Sequence, residues 1–268
     1  MKVQNKVIVV TGGGSGMGCE LTLNLLSKNA KVIAIDINQN GLQETVSLAG
    51  ANKNNLCTFV VDITSKVAVE ALFEKAIIQF GFVDGIINNA GIIQPFIKVN
   101  ELSYEAIERV MNVNFYGTLY MTKTFLPHLL TRPEAHIVNV SSMGGFLPVP
   151  GQTIYGASKA AVKLLTEGLH SELTNTNVKV TVVFPGAVNT NITKNSGLGN
   201  TSTSTTEKQS AKILSAAKAV KIIVEGMKRD QYRILVGKDA KFLDFIYRLN
   251  PKFAAKFISS KMKERLKN

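Results

Sequence analysis

The sequence predicts a doubly wound α/β fold: one mostly parallel, seven-stranded sheet with helices on both faces. Three observations carry that expectation. Short runs rich in Val and Ile are apolar at every position, as strands covered on both faces must be. Longer amphipathic stretches separate these runs, which is the alternation of repeated strand–helix–strand units. A glycine-rich turn at residues 11–18 leads from the first run into the first amphipathic stretch.

Taken in order, strands are expected at residues 7–10, 32–35, 59–61, 85–87, 137–140 and 178–184, with a seventh at 233–236. Helices are expected at 17–28, 41–49, 66–80, 104–130 and 153–174. Segment 191–210 breaks the alternation. It reads NITKNSGLGNTSTSTTEKQS and is too polar for core, so a surface lid is the expectation. No fixed-period repeat and no interdomain linker is present. Residues 1–268 are therefore expected to form one domain, with a basic amphipathic extension at about 238–268.

Composition narrows the function classes. Two cysteines, Cys19 and Cys57, cannot build a disulfide framework or a four-thiolate site, and three histidines lie at no metal-ligand spacing. No metal is expected. The first apolar run is only four residues long before the glycines, which is neither a signal peptide nor a spanning helix. A cytoplasmic protein is the expectation. The net charge is +12, but residues 238–268 hold nine Lys/Arg against three Asp/Glu and so supply half the excess. The charge belongs to a tail, and no combination of basic and stacking aromatic residues suggests nucleic acid.

The turn reads Thr11-Gly12-Gly13-Gly14-Ser15-Gly16-Met17-Gly18. Glycines let a backbone approach a pyrophosphate, and the following helix presents free N–H groups to it. Asp36 ends the second strand, 18 residues after Gly18, where a carboxylate can accept bonds from ribose hydroxyls. It would also repel a 2′-phosphate. No Arg or Lys stands at 37–40 or in the turn to receive one, so NAD is favoured over NADP. Asp62, beside Ile63, suits the adenine end, and could equally cap the next helix.

Tyr155 and Lys159 lie four apart on one face of an expected helix. A nearby ammonium favours a phenolate, and a phenol so tuned can exchange a proton with an alcohol or carbonyl oxygen. Ser142 lies 13 residues upstream, just past a strand, where its hydroxyl could bond the same oxygen.

Together these residues resemble the short-chain dehydrogenase/reductase family, in its compact one-domain form, from Lys6 to about Gly237. Residues 11–18 are similar to its glycine motif, and Asn88-Asn89-Ala90-Gly91 to its NNAG motif. Asn114 matches its catalytic asparagine; Ser142, Tyr155 and Lys159 match its serine and Tyr-x-x-x-Lys. Pro185-Gly186, followed by Val188 and Thr190, resembles its nicotinamide-binding segment. The resemblance implies Tyr155 as general acid/base, with Lys159 lowering its pKa and bonding the nicotinamide ribose. It implies Ser142 as the orienter of the substrate oxygen and Asn114 as holder of a water leading to solvent. Ser141 is the less suitable serine by spacing. A homo-oligomer, dimer or tetramer, is implied too.

The function expected is NAD(H)-dependent interconversion of a hydrophobic secondary alcohol and its ketone. Ile92, Ile93, Phe96, Phe146, Leu147, Val149 and Val188 are the expected pocket walls. The alternatives are a 3-oxoacyl carrier-protein ketoreductase, disfavoured because those enzymes resemble NADP users, and a non-catalytic dinucleotide sensor on the same fold. In the tail, Phe242, Phe245, Ile246 and Leu249 recur at helical spacing, Asn250-Pro251 reads as a helix start, and Phe253, Phe257 and Ile258 continue an apolar face among lysines. Packing on the enzyme or peripheral contact with anionic lipid are the two readings left open.

Overall fold

The computed structural model describes residues 1–198 and 213–262. Its main sheet has seven parallel strands: β1 (Val7–Thr11), β2 (Lys31–Asp36), β3 (Leu56–Val60), β4 (Gly85–Asn88), β5 (Ala135–Val140), β6 (Val178–Pro185) and, after a small pair, β9 (Arg233–Val236). The order is β3-β2-β1-β4-β5-β6-β9. All five residues of β1 are buried, and Val9 lies between Ile33 and Ile86 in register, which explains the unbroken apolar run. A second, two-stranded sheet pairs β7 (Val188–Asn189) with β8 (Leu214–Ser215).

The helices are α1 (Gly16–Leu26), α2 (Gln39–Ala49), α3 (Lys66–Phe80), α4 (Tyr104–Met111), α5 (Gly117–Thr131), α6 (Thr153–Glu172), α7 (Ile192–Asn195), α8 (Ala216–Lys228), α9 (Lys238–Leu249) and α10 (Pro251–Met262). Helices α1 and α8 cover one face through Leu21, Leu25, Val220 and Ile223. On the other face, α3, α5 and α6 contribute Leu72, Phe125 and Leu169. Ser65, Ser103 and Ser215 cap α3, α4 and α8 by accepting backbone N–H bonds.

Three boundaries differ from the expectation. Strand β3 begins at Leu56, because Leu56, Cys57 and Thr58 pair with Val32, Ile33 and Ala34 despite their weaker apolar signal. The stretch 104–130 is two helices joined by a π-helical turn at Asn112–Tyr116. Of segment 191–210, residues 192–195 form α7, and positions 199–210 lie outside the described residues. Among the described residues, no helix is long and apolar enough to cross a membrane.

The tail folds as two helices. Asn250 breaks them, and its Oδ1 accepts a bond from Phe253 N at 2.9 Å, so Asn-Pro does start a helix. Their inner residues Leu243, Ala254 and Ile258 form a third core cluster with Leu147, onto which Phe146 and Val149 pack. Phe146, Leu147 and Val149 also line a second cavity, of about 570 Å³, whose wall the tail completes through Tyr247, Ala255 and Ser259.

Candidate active site

A cleft of about 610 Å³ opens at the carboxyl ends of the strands, over β1, β2 and β4. This is where the strand order reverses direction and where doubly wound sheets bind ligands. Gly12, Ser15, Gly16, Met17, Asp36, Asp62, Ile63, Asn89, Ala90, Gly91 and Thr190 all line it. Thr11, Gly14 and Gly18 brace the lining turns from behind. Thr11 Oγ1 accepts from Asn89 N and Ala90 N at 3.0 and 2.9 Å, tying β1 to the Asn-Ala-Gly turn. Gly14 N donates to Asp36 Oδ2 at 3.0 Å. At Gly18 a Cβ would collide with the Gly12 carbonyl, so the helix can sit against the turn only without one.

Pro185 ends β6, and Gly186 N bonds Val236 O at 2.9 Å. Val188 packs against the core and pairs with Leu214 in the small sheet, which places it in structure rather than in the cleft wall. Asp62 makes a turn of its own, accepting from Thr64 N at 2.9 Å, while Ser65 caps α3. Asp62 thus lines the cleft and forms a turn, and the helix cap is Ser65 instead.

The cleft suits a dinucleotide on its own geometry. Asn89 Oδ1 is buried without a hydrogen-bond partner, an acceptor in need of a donor. Asp36 stands beside Ile37, which is 70% exposed, at the open side of the second strand.

At the other end of the cleft, Tyr155, Ser142 and Lys159 converge behind Asn89-Ala90-Gly91, without themselves lining the 610 Å³ space. Ser142 Oγ accepts from Gly144 N at 3.0 Å and hydrogen-bonds Tyr155. Ser141, by contrast, donates to Lys159 O at 2.7 Å and is buried, so its hydroxyl is committed to holding the helix. Lys159 Nζ donates to Val140 O at 2.9 Å. Burial lowers its amine from 10.5 to about 8. Gly91 leaves room for it: a Cβ there would stand 3.1 Å from Nζ and 3.2 Å from Asn114 Oδ1.

The phenol departs from the expectation. Burial pushes Tyr155 above its ordinary value, and the Ser142 bond only partly offsets that. Lys159 Nζ meets the Val140 carbonyl in this geometry, and burial is the larger influence on the phenol.

Asn114 lies in the π-helical turn and is fully buried. Its Oδ1 accepts from Ile92 N at 2.9 Å, and its Nδ2 donates to Ile92 O and Ser158 Oγ. A π turn widens the helix locally, a feature common at functional sites.

Other residues were not legible in the sequence. Gln94 is fully buried; its Oε1 accepts from Ile154 N and Tyr155 N at 2.8 and 3.0 Å, and its Nε2 donates to Gly151 O. It caps the first turn of the helix that carries Tyr155. Asn139 links Asn88 to Thr166 through buried bonds. Residues 191–198 close one side of the cleft: Asn195 Nδ2 donates to Ser15 Oγ at 2.7 Å, and Ser196 Oγ accepts from Ile93 N at 2.9 Å. Arg109 lines the cleft and donates to Ser196 O at 3.3 Å. One faint signal was available: Gln94 is a lone amide in the apolar run Ile92-Ile93-Gln94-Pro95-Phe96.

Comparison with known proteins agrees with this geometry. Residues 6–201 match the short chain dehydrogenase family. The Mycobacterium tuberculosis protein named "Putative oxidoreductase SadH" is 37% identical over 253 residues, covering 92% of this chain and 91% of that one. A serine dehydrogenase complexed with NADP+ superposes with a TM-score of 0.77 at 27% identity, over 86% of this chain and 93% of its own. The 3-ketoacyl-(acyl-carrier-protein) reductase of Brucella melitensis, complexed with NADH, also reaches 0.77, at 25% identity over 88% and 98%. By its fold, its motifs and these matches, the chain belongs to the short-chain dehydrogenase/reductase family of nicotinamide-dependent oxidoreductases.

Proposed function

We propose that the protein interconverts a hydrophobic secondary alcohol and its ketone with NAD(H). The observation that carries this is the convergence of Ser142, Tyr155 and Lys159 beside a cleft sized for a dinucleotide. The nicotinamide supplies or accepts the hydride when bound. The protein's own residues supply the proton and the geometry. In the reducing direction the protonated phenol of Tyr155 donates to the carbonyl oxygen, which Ser142 Oγ orients from the other side. The Lys159 ammonium, freed from Val140 O, supports the phenolate left behind and holds the nicotinamide ribose. Asn114 stands at the inner end of this chain, against Lys159, where it can hold a water that returns the proton from solvent.

Asp36 supports NAD over NADP. Its carboxylate stands in the cleft, engaged by Gly14 N and Asn38 N, and the exposed neighbour is Ile37 rather than a cation. Asp36→Ala combined with Ile37→Arg is expected to shift selectivity toward NADPH, read as the ratio of kcat/KM for the two cofactors. An unchanged ratio in a folded variant would remove Asp36 from the ribose site. The 3-oxoacyl ketoreductase reading stands as the second, since the similar Brucella reductase is complexed with NADH and cofactor choice no longer argues against it. A homo-oligomer fits the exposed Tyr104, Tyr116 and Leu164 on and between α4 and α6, and a cytoplasmic setting completes the reading. The experiment is a panel of alcohols, ketones and 3-oxoacyl thioesters with NAD(H) and NADP(H), followed by nicotinamide absorbance. Turnover of simple hydrophobic ketones carries the first reading, turnover confined to thioesters the second. No turnover at all, with dinucleotide bound, would mean a sensor.

A further inference from the structure

The tail helices have two faces, and only one is satisfied. Leu243, Ala254 and Ile258 are buried against Leu147. On the outside, Phe242, Phe245, Leu249 and Phe253 are 53–69% exposed. On α9, positions 242, 245 and 249 fall within one narrow arc of the helix. The ridge is continuous across both helices, because Phe257 contacts the rings of Phe242 at 6.1 Å and Phe253 at 6.4 Å. Single exposed apolar residues are ordinary; a contiguous aromatic ridge on a surface marks a contact.

Charge decides what it contacts. Lys238, Lys241, Lys252, Lys256 and Lys261 are exposed along the same two helices. None of them has a carboxylate partner among the described residues. The only acids on α9 and α10 are already engaged: Asp239 accepts from Ala187 N at 2.7 Å, and Asp244 is held by Arg233 and Arg248. The ridge is therefore flanked by five lysines that have no ion-pair partner among the described residues. A second copy meeting it about a two-fold axis would set lysines against lysines, which disfavours self-association. A sheet of anionic headgroups over an apolar interior complements both the charge and the rings.

We propose that α9 and α10 form a docking surface for an anionic lipid bilayer, with Phe242, Phe245, Leu249 and Phe253 entering the headgroup boundary and the lysines pairing with lipid phosphates. The proposal is independent of the catalytic reading, and its readout is binding alone. The full chain is floated with vesicles of phosphatidylcholine, and of phosphatidylcholine mixed with phosphatidylglycerol, at low and high salt. Binding is expected to the anionic vesicles at low salt and to weaken as salt screens the lysines. Lys241→Glu with Lys252→Glu and Lys256→Glu is expected to lower the partition coefficient at least about tenfold. Phe242→Ser with Phe245→Ser and Phe253→Ser is expected to abolish retention at high salt while leaving the melting temperature and the solution mass unchanged, because these rings face outward. Equal binding to both vesicle types, or no binding, overturns the proposal. So does a fall in solution mass in the serine variant, which would assign the ridge to a second copy of the chain.

Discussion

Tyr155 is half-buried, hydrogen-bonded to Ser142, and held above its ordinary pKa by desolvation. Tyr155→Phe removes one hydroxyl and keeps the ring. It is expected to lower kcat by about 10²–10⁴-fold, the usual contribution of a general acid. Dinucleotide affinity, measured by NADH fluorescence titration, is expected to stay near that of the parent. Retention of a tenth or more of the activity would rule out Tyr155 as the proton donor. Lys159 gives a pH dependence. Its ammonium is intact below about 8 and is lost as pH rises through that value, whereas the phenol keeps its proton further up. For carbonyl reduction, kcat/KM is therefore expected to be level through neutral pH and to fall above about 8. A profile that rises there would mean the neutral amine is the active form.

Between single residues and the whole fold, the first turn of α6 is the element that aims the chemistry. Its free N–H groups at Ile154 and Tyr155 meet Gln94 Oε1, while Gln152 Nε2 donates to Gln94 O at 2.8 Å. Gln94 is a positioning residue. Gln94→Ala leaves two partly buried N–H groups unpaired and is expected to destabilise the protein by about 1–3 kcal/mol. It is also expected to lower kcat more than it raises KM for cofactor, since the turn bearing Tyr155 loosens while the glycine turn is untouched. Gln94→Glu keeps the acceptor and is expected to recover part of kcat. Equal kcat in the alanine variant would show that α6 holds its position without Gln94.

At the scale of the whole molecule, the tail is structural on its inner face. Truncation after Gly237 uncovers Leu147, which is 1% exposed, and removes the Asp239 carboxylate that accepts from Ala187 N beside Gly186. The truncated protein is expected to melt several degrees lower and to bind dinucleotide more weakly, checked by thermal unfolding with and without NADH. A truncated protein with unchanged melting would mean that the tail rests on the domain without stabilising it.

Much of this protein was determined by local sequence. Strands buried on both faces read as unbroken apolar runs, so the seven-stranded sheet and most helices were legible, as were the glycine turn and the Ser142, Tyr155, Lys159 set. Each of those signals is carried by neighbours in the chain. What only the tertiary structure decided depends on residues far apart. Strand β3 begins early because β2 offers it partners. Lys159 faces Val140 O, and the phenol rises rather than falls, because burial and direction are properties of the folded site. Gln94 meets a helix start some sixty residues away, and Phe146, Leu147 and Val149 pack with a tail about a hundred residues further on. No local periodicity encodes such pairings, since they exist only once the chain has closed around its sheet.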